Sequence, residues 1–434
     1  MAKPAPKNPL KHLRTSDARG IAQLATQATL GVARIAEGVH QSVWSTVGVP
    51  GGKEPGQTRG VTGLVYRSVE RIAQLLGRGA DALLARLQPL LELAEGSPPE
   101  TPQREAVLAA LNGVMGDRLA ASGNPLATRM SLRYLGKALD WQAMAPMPQA
   151  TGKVLLLIHG LCMNDLQWQT QQEAPGGGKE GGTAQVFDHG AELASQLGYT
   201  PIYLRYNTGL HTSQNGRELA GQLEQLLAQW HLPIQQLTVV AHSMGGLVVL
   251  SAVHCAREQS LRWPEHLKNI VFLGTPHHGA PLERAGNWVD VLLGSTRWSA
   301  PFARLAQLRS AGITDLRYGH VLDVDWQGHD RFRRTPDNRQ PLPLPEGVAC
   351  YTVAASTAAK RSPLTERLVG DGLVPVPSAL GQHSDPRRSL VFAKNAQWTA
   401  WRVNHMQLLG SPDVTRQMLQ WLAPASAASD TPGS

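Results

Sequence analysis

The rhythm of hydrophobic and polar positions along this chain changes once, near residue 150. Residues 21–43 place apolar or small side chains at Ile21, Leu24, Ala28, Val32, Ile35, Val39 and Val43, and these steps of three and four predict one helical stripe. The Pro- and Gly-rich stretch VGVPGGKEPGQTRG (47–60) breaks it. A second stripe runs through Val65, Val69, Ile72, Leu76, Leu83, Leu87 and Leu90 and stops at SPPETP (97–102), and a weaker helical pattern covers 103–121. No strand pattern precedes residue 150. Residues 1–150 are therefore expected to form an all-helical N-terminal region.

Beyond residue 150 the period shortens. KVLLLIHG (153–160) is almost wholly apolar, as a strand covered on both faces should be. PIYLRYN (201–207), LTVVAH (237–242), NIVFLGT (269–275), ACYTVAAS (349–356) and SLVFAKN (389–395) read the same way, with helical patterns between several of them, notably at 217–230 and 244–256. Alternating strand and helix predicts an α/β domain over 151–425, a mostly parallel sheet flanked by helices. The stretch EAPGGGKEGG (173–182) reads as a surface loop. Residues 280–346 lack strand pattern and read as a lid-like insertion, and the tail 426–434 has the composition of a disordered segment.

Composition changes this picture little. The chain has 434 residues and only three cysteines, Cys162, Cys255 and Cys350, which fit a reducing compartment better than a disulfide framework. No apolar run of signal-peptide length follows the basic start, and none approaches the roughly 18 residues of a membrane span, so the expected location is cytoplasmic. Of the net charge of +8, the first 150 residues carry +6 (17 basic against 11 acidic) and the remainder +2. No nucleic-acid motif or clustered basic tract accompanies that excess, so nucleic acid is not an expected partner. The two N-terminal stripes fit helices packed on the following domain, with peripheral contact to a membrane or lipid inclusion as the alternative. The sequence leaves oligomeric state open.

The candidate chemistry centres on AHSMGG (241–246), which lies between a strand pattern and a helix pattern. A small-x-Ser-x-Gly turn in that context is the form of a nucleophile elbow, here with Ala241 in place of the first Gly. Ser243 then needs a base and a group to orient the base, in the chain order Ser, acid, His. Asp371, in the loop GDGLVPVPSALG, and His405, in RVNHMQLLG, follow later strands and are the candidates; His242, His277 and His278 are rival histidines, and Asp323, Asp325 and Asp413 rival acids. The backbone N–H of Met244 and that of Leu161 are the expected oxyanion donors, with Cys162 the neighbour that competes with Leu161. His159, His277, His278 and His211 are weaker candidates for substrate contact, as are Asn207 and Asn215. Trp288, Trp298 and Trp326 are candidates to line an acyl pocket. No histidine–acid spacing calls for a metal, and no cofactor is expected.

With IHGL, AHSMGG, LGTPHHGAPLER, GDGLVPVPSALG and NHMQLLGSPDV in this order, the chain resembles the α/β-hydrolase superfamily, in its bacterial lipase and GPI inositol-deacylase-like branch. The resemblance covers residues 153–423. It implies the α/β-hydrolase fold, a Ser243–His405–Asp371 triad, and Leu161 and Met244 as oxyanion donors. The expected function is a serine carboxylester hydrolase, an esterase or lipase, working on a small-molecule or lipid ester through an acyl-enzyme. The alternatives are an acyltransferase using the same triad, and a membrane- or granule-binding protein that carries a hydrolase domain.

Overall fold

The structure is a computed structural model that describes residues 16–17, 19–20, 100–142, 147, 149–172, 185–280, 310–329, 337–359 and 370–424. The two N-terminal stripes, the loop at 173–182, most of the insertion and the tail lie outside the described residues.

The central sheet grows from the continuous apolar runs. β3 (Lys153–Ile158), β6 (Thr200–Arg205), β7 (Gln236–His242), β8 (Leu267–Leu273), β9 (Ala349–Ser356) and β10 (Gln397–Trp401) are parallel neighbours in one eight-stranded sheet. With β1 (Ser131–Tyr134) and β2 (Lys137–Ala138) at one edge, its order is β10-β9-β8-β7-β3-β6-β1-β2, and β4 (Thr170–Gln172) pairs with β5 (Gln185–Phe187) in a separate two-stranded sheet. Residues Val154 through Ile158 are completely buried, which explains why β3 reads as an unbroken hydrophobic run rather than an alternating one.

The alternation is nevertheless there in three dimensions, because successive side chains enter different layers. Leu156 and Ile158 join Ile202, Val239 and Phe272 on one face, whereas Leu155 and Leu157 join Val240, Val271 and Leu273 on the other. The first face is covered by α1 (Pro102–Ala121), α3 (Thr212–Gln229) and α4 (Met244–Glu258), the second by α2 (His189–Leu197) and α6 (Pro412–Leu422). α3 buries a stripe at steps of three and four, Leu219, Leu223 and Leu226, whereas α4 is buried almost all round, from Met244 to Val253 without a break. Full burial of one such side chain is worth about 1.5–3 kcal/mol.

Local chemistry sets several helix ends. The Asp188 carboxylate accepts from the N–H groups of Gly190 (2.6 Å) and Ala191 (3.2 Å) at the start of α2. Gly198 closes the same helix at φ 73°, a left-handed cap that favours glycine.

Two expectations are corrected. Residues before 150 are not wholly helical: β1 (Ser131–Tyr134) and β2 (Lys137–Ala138) extend the sheet as antiparallel strands beyond β6. β1 escapes pattern reading because it is four residues long and turns an arginine inward. Arg133 is buried and paired with Asp165 at 3.0 Å and Glu100 at 2.6 Å. The last strand is also not SLVFAKN. It is QWTAW, paired in register with β9, while Val391 within the apolar run is 88% exposed. As an edge strand β10 is one-sided, so its apolar content is diluted.

α1 covers the expected third helix, and it is part of the main core: Ala110, Leu111, Val114 and Met115 pack in the layer that covers β3 and β6.

Candidate active site

The sheet reverses its winding at β3, with β6 placed on one side and β7 on the other, and such a switch point opens a crevice at the strand C-termini. Ser243 stands there. β7 ends at His242 and α4 begins at Met244, leaving Ser243 as the corner between them at φ 54°, ψ −123°. Non-glycine residues hold such a conformation only where the surroundings enforce it. Here the Ser243 N–H donates to Leu273 O (2.8 Å) and Ser243 O accepts from Gly246 N (3.1 Å). The turn also needs its small residues. A Cβ at Gly245 would come within 2.7 Å of Ile158 O and 2.9 Å of His159 O, and one at Gly246 would strike Thr275. Ala241, where the pattern has its first Gly, is fully buried without disturbing this packing.

Asp371 and His405 meet at the same end of the sheet. Both are buried, and Asp371 Oδ2 accepts from His405 Nδ1 at 2.6 Å. Because a carboxylate can only accept, the Nδ1 carries the proton in this pair. The other oxygen, Oδ1, accepts from the N–H groups of Leu373 (2.8 Å) and Val374 (2.7 Å), and the His405 N–H donates to Asp371 O (3.0 Å). Four hydrogen bonds thus fix one carboxylate relative to one imidazole. Gly274, at φ 59°, passes over their contact: a Cβ there would lie 3.2 Å from His405 Nδ1 and 3.3 Å from Asp371 Oδ2. His405 Nε2 is buried and has no hydrogen-bond partner. The His405 ring lies beside the serine corner, 4.6 Å from the ring of His242 between centroids.

The rivals are occupied elsewhere. His242 Nε2 lies 3.1 Å from His405 O, so this ring supports the histidine loop rather than serving as its alternative. Burial first, and then the proximity of His405 and other histidines, hold His242 well below its ordinary pKa. Asp325 accepts from the N–H groups of Val321, Leu322 and Gln340. Asp323 pairs with Arg217, and Asp413 with Arg416 on the surface.

The loop after β3 brings its backbone to the serine. A Cβ at Gly160 would lie 2.9 Å from Ser243 Cβ, so this position has room only for glycine. Leu161 follows, fully buried. The competing donor is already engaged, since the Cys162 N–H donates to Thr208 Oγ1 at 3.1 Å. The Cys162 thiol is pushed up to about 12 by burial, which keeps it protonated and unreactive at neutral pH.

The weaker candidates separate. His159 is buried, stacks on Tyr206 with 4.5 Å between centroids, and is lowered to about 4 by burial. His277 is lowered to about 3 by burial; it packs edge-on against Phe272 and leaves both ring nitrogens unpartnered. His278 lies 3.0 Å through Nε2 from Gly381 O and is lowered to about 4 by burial. His211 bonds to the buried Asp315 (3.1 Å) and stacks at 3.6 Å on Trp326, whose indole N–H donates to Ser213 Oγ. It thus serves the docking of α5 (Ala311–Tyr318). Asn207 and Asn215 tie down their own loop: Asn207 Oδ1 accepts from Gly209 N (3.0 Å), and Asn215 Nδ2 donates to Asn207 O (2.9 Å). Trp288 and Trp298 lie outside the described residues.

Thr208 is the site residue the sequence did not single out. Its only signal was its place in the polar loop NTGLHTSQNG, at the same sheet edge as the serine. Among the described residues no group of three or more His, Cys, Asp or Glu is arranged to hold a metal ion, and no helix is long and apolar enough to cross a membrane.

Residues 149–336 match the family model of the PGAP1-like alpha/beta domain. That stretch contains Ser243 and both oxyanion candidates, whereas Asp371 and His405 lie after it. No curated protein matches the chain. Among solved structures, a mature lipase from Bacillus licheniformis is 17% identical, covers 68% of this chain and 97% of its own, and has a TM-score of 0.39. Lipase B of Aspergillus fumigatus is 11% identical, with 92% and 83% covered and a TM-score of 0.38. A thermophilic esterase from Thermogutta terrifontis is 14% identical, with 63% and 90% covered and a TM-score of 0.31.

Proposed function

We propose that this chain of the α/β-hydrolase superfamily is a serine carboxylester hydrolase that cleaves acyl esters through an acyl-enzyme on Ser243. The reading rests on one arrangement. A serine sits at a constrained strand–helix corner, beside a buried histidine with one ring nitrogen bound to a buried carboxylate and the other unpartnered.

In this reading Ser243 Oγ attacks the ester carbonyl carbon while His405 Nε2 takes its proton. Asp371 keeps the proton on Nδ1, leaving Nε2 basic, and stabilises the imidazolium that forms. The negative charge that develops on the carbonyl oxygen is met by the N–H groups of Leu161 and Met244, the latter at the N-terminus of α4, where the helix dipole favours it. Collapse of the intermediate breaks the C–O bond to the alcohol, which leaves with the proton from His405. Water then attacks the acyl-enzyme, giving its proton to His405, and the acid departs as Ser243 recovers that proton. The substrate class is an acyl ester of a small-molecule or lipid alcohol.

Hydrolysis of a p-nitrophenyl ester series from acetate to palmitate, by wild type and by Ser243→Ala, tests this. Activity in the wild type that vanishes in the variant is expected, and the chain-length optimum distinguishes esterase from lipase behaviour. Equal rates in the two proteins would remove Ser243 from the mechanism.

A further inference from the structure

We infer that Thr208 is a positioning residue for the oxyanion site: its hydroxyl, working with the ring of His159, fixes the two peptide groups that flank Leu161 and so aims the Leu161 N–H. The inference rests on the proposed ester-hydrolase reading and adds to it what holds the first-loop donor in place.

A peptide group is planar, so fixing its carbonyl also fixes the direction of its N–H. The peptide that carries the Leu161 N–H has Gly160 O as its carbonyl, and His159 Nδ1 lies 3.0 Å from that oxygen. A carbonyl accepts, so His159 donates from Nδ1 as a neutral imidazole, the form its burial favours. The next peptide is fixed by its N–H, which Cys162 donates to Thr208 Oγ1 at 3.1 Å. Cys162 itself is held at φ 60°, where residues other than glycine need such support. Leu161 is therefore pinned on both sides, immediately after the glycine that touches Ser243.

Thr208 can act this way only if it is itself immobile, and its loop is secured from three directions. Asn207 Nδ2 donates to Gly116 O (3.0 Å) on α1, and Asn215 Nδ2 on α3 donates to Asn207 O (2.9 Å). From the third side Gly312 N, at the start of α5, donates to Gly209 O (3.1 Å), and any Cβ at Gly312 would collide with Thr208 O. Thr208 is completely buried. A hydroxyl so enclosed, spent on one backbone N–H of the loop beside the nucleophile, is a support for that loop's geometry. The helix that leans on Thr208 comes from the inserted segment, so docking of α5 and the donor geometry belong to one packed unit.

Thr208→Val keeps the shape and removes the acceptor, and Thr208→Ser keeps the acceptor. The full chain is assayed on p-nitrophenyl butyrate for kcat, KM and the pH profile, with labelling of Ser243 by a fluorophosphonate and a melting curve for each protein. The valine variant is expected to lose about 10–100-fold in kcat with KM within about twofold, since a misdirected donor weakens chiefly the transition state. Its pH profile should match the wild type, and the serine variant should recover most of the rate. A valine variant within twofold of wild-type kcat overturns the inference. So does an equal loss in both variants, or a loss that appears in KM alone. If the valine variant does not fold, the serine variant decides: a large fall in its kcat with an unchanged melting curve overturns the inference, and near-wild-type kcat supports it. A wild type that neither turns over esters nor labels at Ser243 overturns the ester-hydrolase reading, and this inference with it.

Discussion

At the β1–β6 end of the sheet, charges that are mostly buried are matched to one another, with the exposed Glu100 at their rim. Arg205 binds Asp165 (2.5 Å) and Glu105 (2.7 Å), Arg133 binds Glu100 (2.6 Å) and Asp165 (3.0 Å), and Arg104 binds Asp17 and Glu105 (both 2.5 Å). At the C-terminal ends of β7 to β10 the buried pair is Asp371 and His405, and there the matching stops short: the carboxylate is fully committed, but His405 keeps one nitrogen with no partner. The first group joins α1, β1 and β6 into one structure. The second leaves a base unspent in a place that would otherwise reward filling every hydrogen bond. Buried charge alone therefore does not mark the candidate site, and neither does an unpartnered ring nitrogen, since both nitrogens of the buried His277 also lack partners. His405 is set apart because its unpartnered nitrogen belongs to a ring bound to a buried carboxylate beside the Ser243 corner.

The sharpest way to break this contrast is Asp371→Asn. An amide can accept from the Leu373 and Val374 N–H groups through its oxygen, so the loop should survive. Its NH₂ would then face His405 Nδ1 as a donor, forcing the ring proton onto Nε2 and removing the base. A fall of about 10⁴-fold in kcat is expected, with the melting temperature nearly unchanged. Steady-state ester hydrolysis alongside thermal unfolding checks it, and retained activity would sever Asp371 from the chemistry.

Arg205→Ala should do the reverse. It leaves Asp165 and Glu105 buried with one cation fewer, and breaking such a pair costs about 3–5 kcal/mol. The urea midpoint should fall sharply, while kcat of the folded fraction stays within about twofold. A variant as stable as the wild type would mean that the neighbouring arginines suffice for both carboxylates.

The two regions were also unequally legible in the sequence. The candidate site was legible because each part of it follows a strand and carries its own local pattern: the small residues around Ser243, the Gly-flanked loop of Asp371, the loop of His405 before α6. The ionic group draws on Asp17, Glu100, Arg104, Glu105, Arg133, Asp165 and Arg205, which no shared motif relates and which only the folded sheet brings together. β1 was lost for the same reason, since its inward Arg133 reads as a solvent residue until its partners are known. β10 was misplaced by six to eight residues because a hydrophobic run, SLVF, competed with an edge strand whose tryptophans are only half-buried. Thr208 left no mark beyond its place in the polar loop NTGLHTSQNG. A hydroxyl that bonds a backbone N–H some 46 positions away has no sequence signature.

The smallest effect separates a spent histidine from the unspent one. His189 packs between α2 and α6 with Nδ1 2.7 Å from Thr415 Oγ1 and Nε2 2.8 Å from Leu408 O. The Leu408 carbonyl accepts from Nε2–H, so Nδ1 accepts from the threonine hydroxyl, and both nitrogens are satisfied in the neutral ring. Burial lowers this histidine from the usual 6.5 to about 4. The native state therefore refuses a proton that the unfolded chain accepts, and stability drops as the pH falls below about 6.5, levelling off only once the folded ring protonates near 4. Between pH 7 and 5.5 this one group should remove about 1 kcal/mol. His159 and His277, lowered by burial in the same way, add to the wild-type slope. In His189→Gln the amide cannot titrate, so whatever absolute stability is lost, the difference in unfolding free energy between pH 7 and 5.5 should shrink by about 1 kcal/mol. Urea unfolding at the two pH values reads that difference directly. An unchanged difference would mean that the ring can take a proton where it stands, and that full hydrogen bonding does not by itself keep a buried histidine out of proton chemistry.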